Sequence, residues 1–160
     1  MRAVLMSIQA THNRNIESGK KKAELRTVAP KLKPPFKVYT YESGIDGRHK
    51  VVNEWVCEYM PTWLMYMGLP AHLSIVACVS NDYIWKYCDK GRKNISEMRI
   101  SNLKVYDKPK ELSEFKHWVN DKDYDGWNEQ GTKIVKGFVL RPLTRPPQSW
   151  CYVQDLNDEN

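Results

Sequence analysis

The sequence predicts an α+β fold: a small β-barrel of about five or six strands with short helices at its periphery. Two patterns and one bound lead there. Short apolar or alternating runs recur at Ala3–Ile8, Ala23–Val28, Phe36–Glu42, Val51–Cys57, Met98–Tyr106 and in the segment that closes on Val153. Helical patterns are few and brief, chiefly Thr11–Ser18 and Asn81–Cys88. The bound is size: 160 residues, 41% hydrophobic and 28% charged, suit one globular domain with its own core. That domain is expected over residues 1–156, with 157–160 as a disordered tail.

The run Ala3–Ile8 is only six residues long, so it reads as a first strand and not as a secretory signal. The helix that follows should be capped by Thr11, bury Ile16 and end at Gly19, because glycine adopts the left-handed conformation without a Cβ penalty. His12, alone at the helix start, reads as a surface residue. Ala23–Val28 is the second strand. Pro30, Pro34 and Pro35 keep the next segment extended, since each biases its predecessor away from helix. Phe36–Glu42 and Val51–Cys57 then form a hairpin across the turn Ser43-Gly44-Ile45-Asp46-Gly47.

Tyr59 to Asn81 contains no Asp, Glu, Lys or Arg. Pro61, Gly68, Pro70 and His72 break its apolarity, which argues against a membrane span. Its centre, Trp63–Leu69, reads as a loop or helix covering the core, with a partner-binding surface as the alternative. Ser80 can cap a helix that turns Ile84, Tyr87 and Cys88 to one face and stops at Asp89-Lys90-Gly91. An inserted loop is expected at 117–137. Within it Asp121-Lys122-Asp123-Tyr124-Asp125-Gly126 opens like a calcium loop, but Asn128 and Thr132 stand where an apolar residue and a bidentate Glu belong. It reads as a solvated acidic loop. Arg145-Pro146-Pro147 makes a rigid turn into the last strand, where Trp150 and Tyr152 share a face available to the core or to base stacking.

Cys57, Cys78, Cys88 and Cys151 lie far apart without zinc-ligand spacing, which favours a reduced, cytoplasmic protein holding no metal. The histidines 12, 49, 72 and 117 have no Ser, Cys or Asp at motif spacing, so no nucleophile–base–orienter set is visible. Charge is uneven: residues 1–50 carry eleven Lys or Arg against four acids, and the remaining 110 carry fourteen against fifteen. A basic half on a near-neutral body suits a polyanion such as RNA or DNA.

The most informative stretch is Gly19-Lys20-Lys21-Lys22-Ala23-Glu24-Leu25-Arg26. It concentrates cations around one acid at a helix-to-strand junction, and alternation puts Lys22, Glu24 and Arg26 on one side with Leu25 on the other. A carboxylate between ammonium and guanidinium groups suits a polar pocket for an anion or a nucleobase edge.

Gly19, Lys21, Glu24 and Arg26 fit the Gly-x-Lys-x-x-Glu-x-Arg signature of the ASCH domain, a relative of the PUA RNA-binding domain. The chain resembles small ASCH proteins of phages and low-GC bacteria in further segments: 4–8, 31–39, 104–112 and 143–153. These shared pieces, in order, cover about two thirds of the chain and are more specific than the octapeptide. The resemblance implies a PUA-like barrel and a polar cleft that binds RNA or a modified nucleotide. It puts Lys21 and Glu24 in catalytic positions should the cleft do chemistry. Lys20, Lys22, Arg26, Arg99, Arg145 and Trp150 are the candidate ligand-binding residues.

Some relatives are amidohydrolases on acetylated cytidine, using Lys, Thr and Glu, and others cleave RNA. Lys21 fits that lysine, but Glu24 replaces the Thr hydroxyl, and Glu54 and Glu58 are the candidates for the distal acid. Where relatives tend to place Trp-His this chain has Met98-Arg99, which trades an imidazole for an anion-binding group. The alternatives are therefore a small hydrolase on a modified nucleoside or RNA, and a phage-encoded protein that inhibits a host defence enzyme from the host cytoplasm. The latter would use the uncharged aromatic stretch and the acidic insertion as its interface. The expected partners are RNA or a modified nucleotide, with a host protein as the alternative and no membrane; no cofactor is expected.

Overall fold

The computed structural model describes residues 2–120 and 138–159. Nine strands are assigned among them: β1 Arg2–Gln9, β2 Ala23–Arg26, β3 Phe36–Ser43, β4 Val51–Cys57, β5 Thr62–Trp63, β6 Ile95–Lys110, β7 Lys116–Asn120, β8 Phe138–Pro142 and β9 Trp150–Gln154. Three α-helices accompany them: α1 Ala10–Glu17, α2 Leu73–Ala77 and α3 Asn81–Tyr87. The main sheet runs β2-β6-β4-β3-β1-β9, with β5 beside β6, and it curls into a half-barrel. Among these pairs β1–β3 is parallel and the others are antiparallel.

β1 is an interior strand between β3 and β9, and its apolar residues on both faces, interrupted only by Ser7, follow from burial on both sides. Val4, Met6 and Ile8 join Ile16, Val38, Trp55 and Met98 in one core cluster. Ala3 and Leu5 point the other way, into a second cluster with Tyr39, Val51, Phe115 and Val153. The β3–β4 hairpin forms as expected, from Phe36↔Cys57 to Tyr41↔Val51. The sixth strand is longer than the alternation predicts. Its first residues pair with β2 and β5, and the rest with β4, so one strand ties both arms of the sheet together.

Several local expectations are corrected. Thr11 is exposed and does not cap α1; the helix begins at Ala10, directly off β1, with Gln9 at the cap position and no side-chain cap bond. β2 stops at Arg26, two residues early. Gly19 does end α1, at φ +73°, with its N–H donating to Ile16 O at 2.9 Å. Ser80 caps α3 as expected, accepting from Tyr83 N–H at 3.1 Å. Residues 156–159, which fall largely in the tail expected from sequence, form a 3-10 turn in which Asp155 Oδ1 accepts from Asn157 N–H.

The charge-free stretch divides in two. Met65, Leu73 and Ala77 pack with Leu25, Ile84 and Ile95 in a third cluster, whereas Tyr66, Met67 and Ile75 are exposed. Among the described residues, no helix is long and apolar enough to cross a membrane. β7 and β8 form a separate antiparallel ladder, so pairing reaches into the stretch expected as a loop at 117–137. The possible calcium loop at 121–126 lies outside the described residues.

The two arms of the half-barrel do not hydrogen-bond to each other by strand pairing; side chains bridge them. Arg26 of β2 donates from Nη2 to Ser7 O of β1 and from Nη1 to Ser149 Oγ, both at 3.0 Å. Trp150 Nε1 donates to Val28 O at 2.8 Å, and Lys31 N–H to Tyr152 Oη at 2.8 Å. This polar seam is where the cavity lies.

Candidate functional site

The turn after Gly19 positions the first cation. Lys21 N–H donates to Asn15 O, and Lys22 N–H to Val76 O, which fixes the approach of the chain to β2. Because β2 starts only at Ala23, strand alternation does not reach back to Lys22. Lys22 is exposed, and Lys21 is the cation that turns inward beside Glu24. Alternation along the sequence thus points to the wrong lysine for the cluster.

Lys21 Nζ lies 3.1 Å from Glu24 Oε2 and donates to Ala77 O at 2.9 Å. Glu24 Oε1 lies 3.0 Å from Arg26 Nη2. All three side chains are at least seven-eighths buried, at 4%, 9% and 12% exposure. Burial works against charge on Glu24, yet the ammonium of Lys21 and the guanidinium of Arg26 outweigh it and hold its pKa below the ordinary carboxylate value. Glu24 is therefore an anion at neutral pH.

A cavity of about 210 Å³ opens over this triad. Its other walls include Ser7 and Gln9 of β1, His12 of α1, and Tyr83 and Tyr87 of α3. Tyr83 and Tyr87, one helical turn apart, present near-parallel rings 6.3 Å apart at 18° and stay partly exposed. His12 sits 5.9 Å from the Tyr83 ring. Burial and then the Lys21 charge lower the His12 pKa, against a smaller opposing pull from Glu24, so its imidazole is neutral at pH 7. Burial raises the Tyr83 pKa, which keeps its hydroxyl protonated.

Of the candidate residues, the structure brings Lys21, Glu24 and Arg26 together at this cavity. Lys20, Lys22 and Arg145 are exposed and do not line it. Arg99 pairs with the buried Glu97, 2.5 Å from Nε to Oε1, away from the cavity. Trp150 stacks edge-on against Tyr152 and packs on the core, so its face goes to the core and not to the cavity. Glu54 accepts from Tyr106 Oη and Glu58 from Ser101 Oγ; neither reaches the cavity. Among the described residues no three His, Cys, Asp or Glu gather to hold a metal ion.

Among the lining residues that the sequence does not mark as site residues are His12, Tyr83 and Tyr87. By sequence His12 is a surface residue, yet α1 starts early enough to turn it toward Glu24. Helical periodicity turns Tyr87 inward with Ile84 and Cys88; those two are buried, and Tyr87 stands at the edge. The available signal is the spacing of Tyr83 and Tyr87, four residues apart on a capped helix, which makes them one surface strip.

No family model matches the chain, and no curated protein matches it. Solved structures do. The chain is similar to the crystal structure of ASCH from Zymomonas mobilis, with a TM-score of 0.66 at 15% identity over 98% of this chain and 91% of that one. Tyrosine-to-phenylalanine and serine-to-alanine variants of that protein give TM-scores of 0.63 at 15% identity, covering 95% of this chain and 90% and 88% of theirs. This likeness shows the fold: the chain has the fold of these ASCH structures, an α+β half-barrel.

Proposed function

We propose that the chain binds RNA or a modified nucleotide by taking a single base into the cavity over Lys21, Glu24 and Arg26. The observation behind this reading is the pairing of two surfaces: a buried charged triad on the inner side and the Tyr83–Tyr87 strip on the outer. Polar groups that fix orientation, beside aromatic faces that stack, are how single-stranded nucleic acids are held. A cavity of about 210 Å³ is below the usual range for drug-sized ligands, and it suits one base rather than a stacked run. Exposed Lys20 and Lys22 flank the entrance to β2 and can meet phosphates. The ASCH fold points to the same kind of partner.

Binding fits this geometry better than proton transfer at Glu24. An efficient general acid or base has a pKa near working pH, and Glu24 is pulled the other way with both oxygens in ion pairs. The test is titration of a short single-stranded RNA at low salt with wild type and the Tyr83→Ala/Tyr87→Ala double variant. The double variant should lose about 1–3 kcal/mol of binding, the contribution of one stacked base. Undetectable binding by wild type, or unchanged binding by the double variant, would end this reading.

A second reading has its own observation. Tyr66, Met67 and Ile75 are 75–76% exposed on a stretch without charged residues, as a surface that docks on a host enzyme would be. Met67→Lys should abolish such a complex without disturbing nucleotide binding.

A further inference from the structure

Resting on that nucleotide-binding reading, we infer that the cavity selects a base with an imide edge, namely uracil, over cytosine. The argument is an inventory of hydrogen-bonding capacity at the triad. Lys21 has three N–H donors and spends one on Ala77 O and one on Glu24, so one remains. Glu24 is an acceptor-only carboxylate with about four lone-pair sites, of which Lys21 and Arg26 use two. Arg26 has five N–H donors; Ser149 Oγ, Ser7 O and Glu24 take three, and Nε is buried without a partner, so the donor left for a ligand is the second Nη1 hydrogen.

The order of these groups is fixed. Glu24 lies between the two cations, with Oε2 toward Lys21 and Oε1 toward Arg26. The wall therefore presents donor, acceptor, donor. Its complement is acceptor, donor, acceptor: a carbonyl, an imide N–H and a second carbonyl in a row. Uracil offers O4, N3–H and O2 in that sequence. Cytosine offers an amino donor, then two acceptors, which would set its amino group against a cation and its N3 lone pair against the carboxylate. Guanine and adenine likewise put a donor where a donor already stands. A charged group buried against the wrong partner is costly, so mismatched bases are rejected more strongly than the right one is favoured.

The surroundings keep the pattern rigid. Lys21 and Arg26 are each anchored to groups other than Glu24, so neither can swing away to relieve a mismatch. The Tyr83–Tyr87 strip supplies a flat contact with no preference among bases, which leaves selection to the triad.

The test uses ligands instead of variants, so it does not depend on a mutant folding. Uridine 5′-monophosphate, cytidine 5′-monophosphate and N3-methyluridine 5′-monophosphate are titrated into the full chain by calorimetry. The uridine nucleotide should bind at least about tenfold more tightly than either of the others, because each loses the central N–H and sets an unpaired or opposed group against Glu24. Cytidine nucleotide binding equal to or tighter than uridine, or indifference to N3 methylation, would overturn the imide assignment while leaving nucleotide binding intact. Failure of all three nucleotides, and of single-stranded RNA, to bind would overturn the nucleotide-binding reading and this inference with it.

Discussion

Glu24 is held by two cations that would each keep a partner without it: Lys21 keeps Ala77 O, and Arg26 keeps Ser7 O and Ser149 Oγ. Glu24→Gln therefore leaves both cations hydrogen-bonded, though to neutral oxygens in place of a counter-charge. We expect thermal stability to fall by about 1.5–3 kcal/mol, the range for hydrogen bonds involving charge. This is short of the larger loss seen when a buried pair is broken outright. Nucleotide affinity should fall with it, since an amide brings a donor into a wall that needs an acceptor. Chemical denaturation and calorimetry on the same variant measure both. The pH dependence has a definite sign. The folded pKa of Glu24 is lowered, so its contribution is fully present above the ordinary value of 4.5 and is lost as pH falls through the lower folded value. Wild type should therefore lose stability below pH 4.5 more steeply than Glu24→Gln.

The element that shapes the cavity mouth is α3, only seven residues long. An isolated helix of this length does not hold in water, so its caps and its buried Ile84 decide whether it forms. Ser80 accepts from Tyr83 N–H, and the same bond fixes the backbone of a lining tyrosine. At the other end Asp89, Lys90 and Gly91 all take positive φ, and a Cβ at Gly91 would come within 2.7 Å of the Trp85 ring. Ser80→Ala should cost about 0.5–2 kcal/mol in stability. Its effect on RNA affinity should exceed that of an equally destabilising change elsewhere in the third cluster, such as Ile95→Val, because it loosens the Tyr83–Tyr87 strip. Paired melts and titrations of the two variants separate these effects; equal affinities would show that the cap serves stability alone.

Across the molecule, the half-barrel leaves its seam to side chains, and the charged triad occupies the gap that strand pairing leaves open. The basic residues of the first fifty are divided by this arrangement. Lys21 and Arg26 are built into the seam, while Lys20 and Lys22 stay on the surface. The two sets should answer differently to salt. Replacing Lys20 and Lys22 by Ala should leave the melting temperature unchanged. It should reduce the slope of log K against log salt by about 0.7 for each phosphate of a single strand that is no longer neutralised. A slope identical to wild type would place the phosphates elsewhere on the molecule.

Some of this is legible in the order of residues alone, because it depends on local rules. The run Ala3–Ile8, the hairpin of Phe36 and Val51, the stop at Gly19 and the cap at Ser80 each follow from side-chain period, turn chemistry or backbone freedom within a few residues. The octapeptide likewise marks where Lys21, Glu24 and Arg26 lie. Long-range packing decides the rest. Lys21 turns inward in place of Lys22 because β2 begins at Ala23, and that start is set by pairing with Arg99 on β6, far along the chain. His12 reaches the cavity because α1 follows β1 without a break, and Trp150 goes to the core because its N–H closes the seam onto Val28. Sequence determines which groups a segment carries and how they alternate; which of them share a cavity depends on how distant strands register, and no local pattern encodes that.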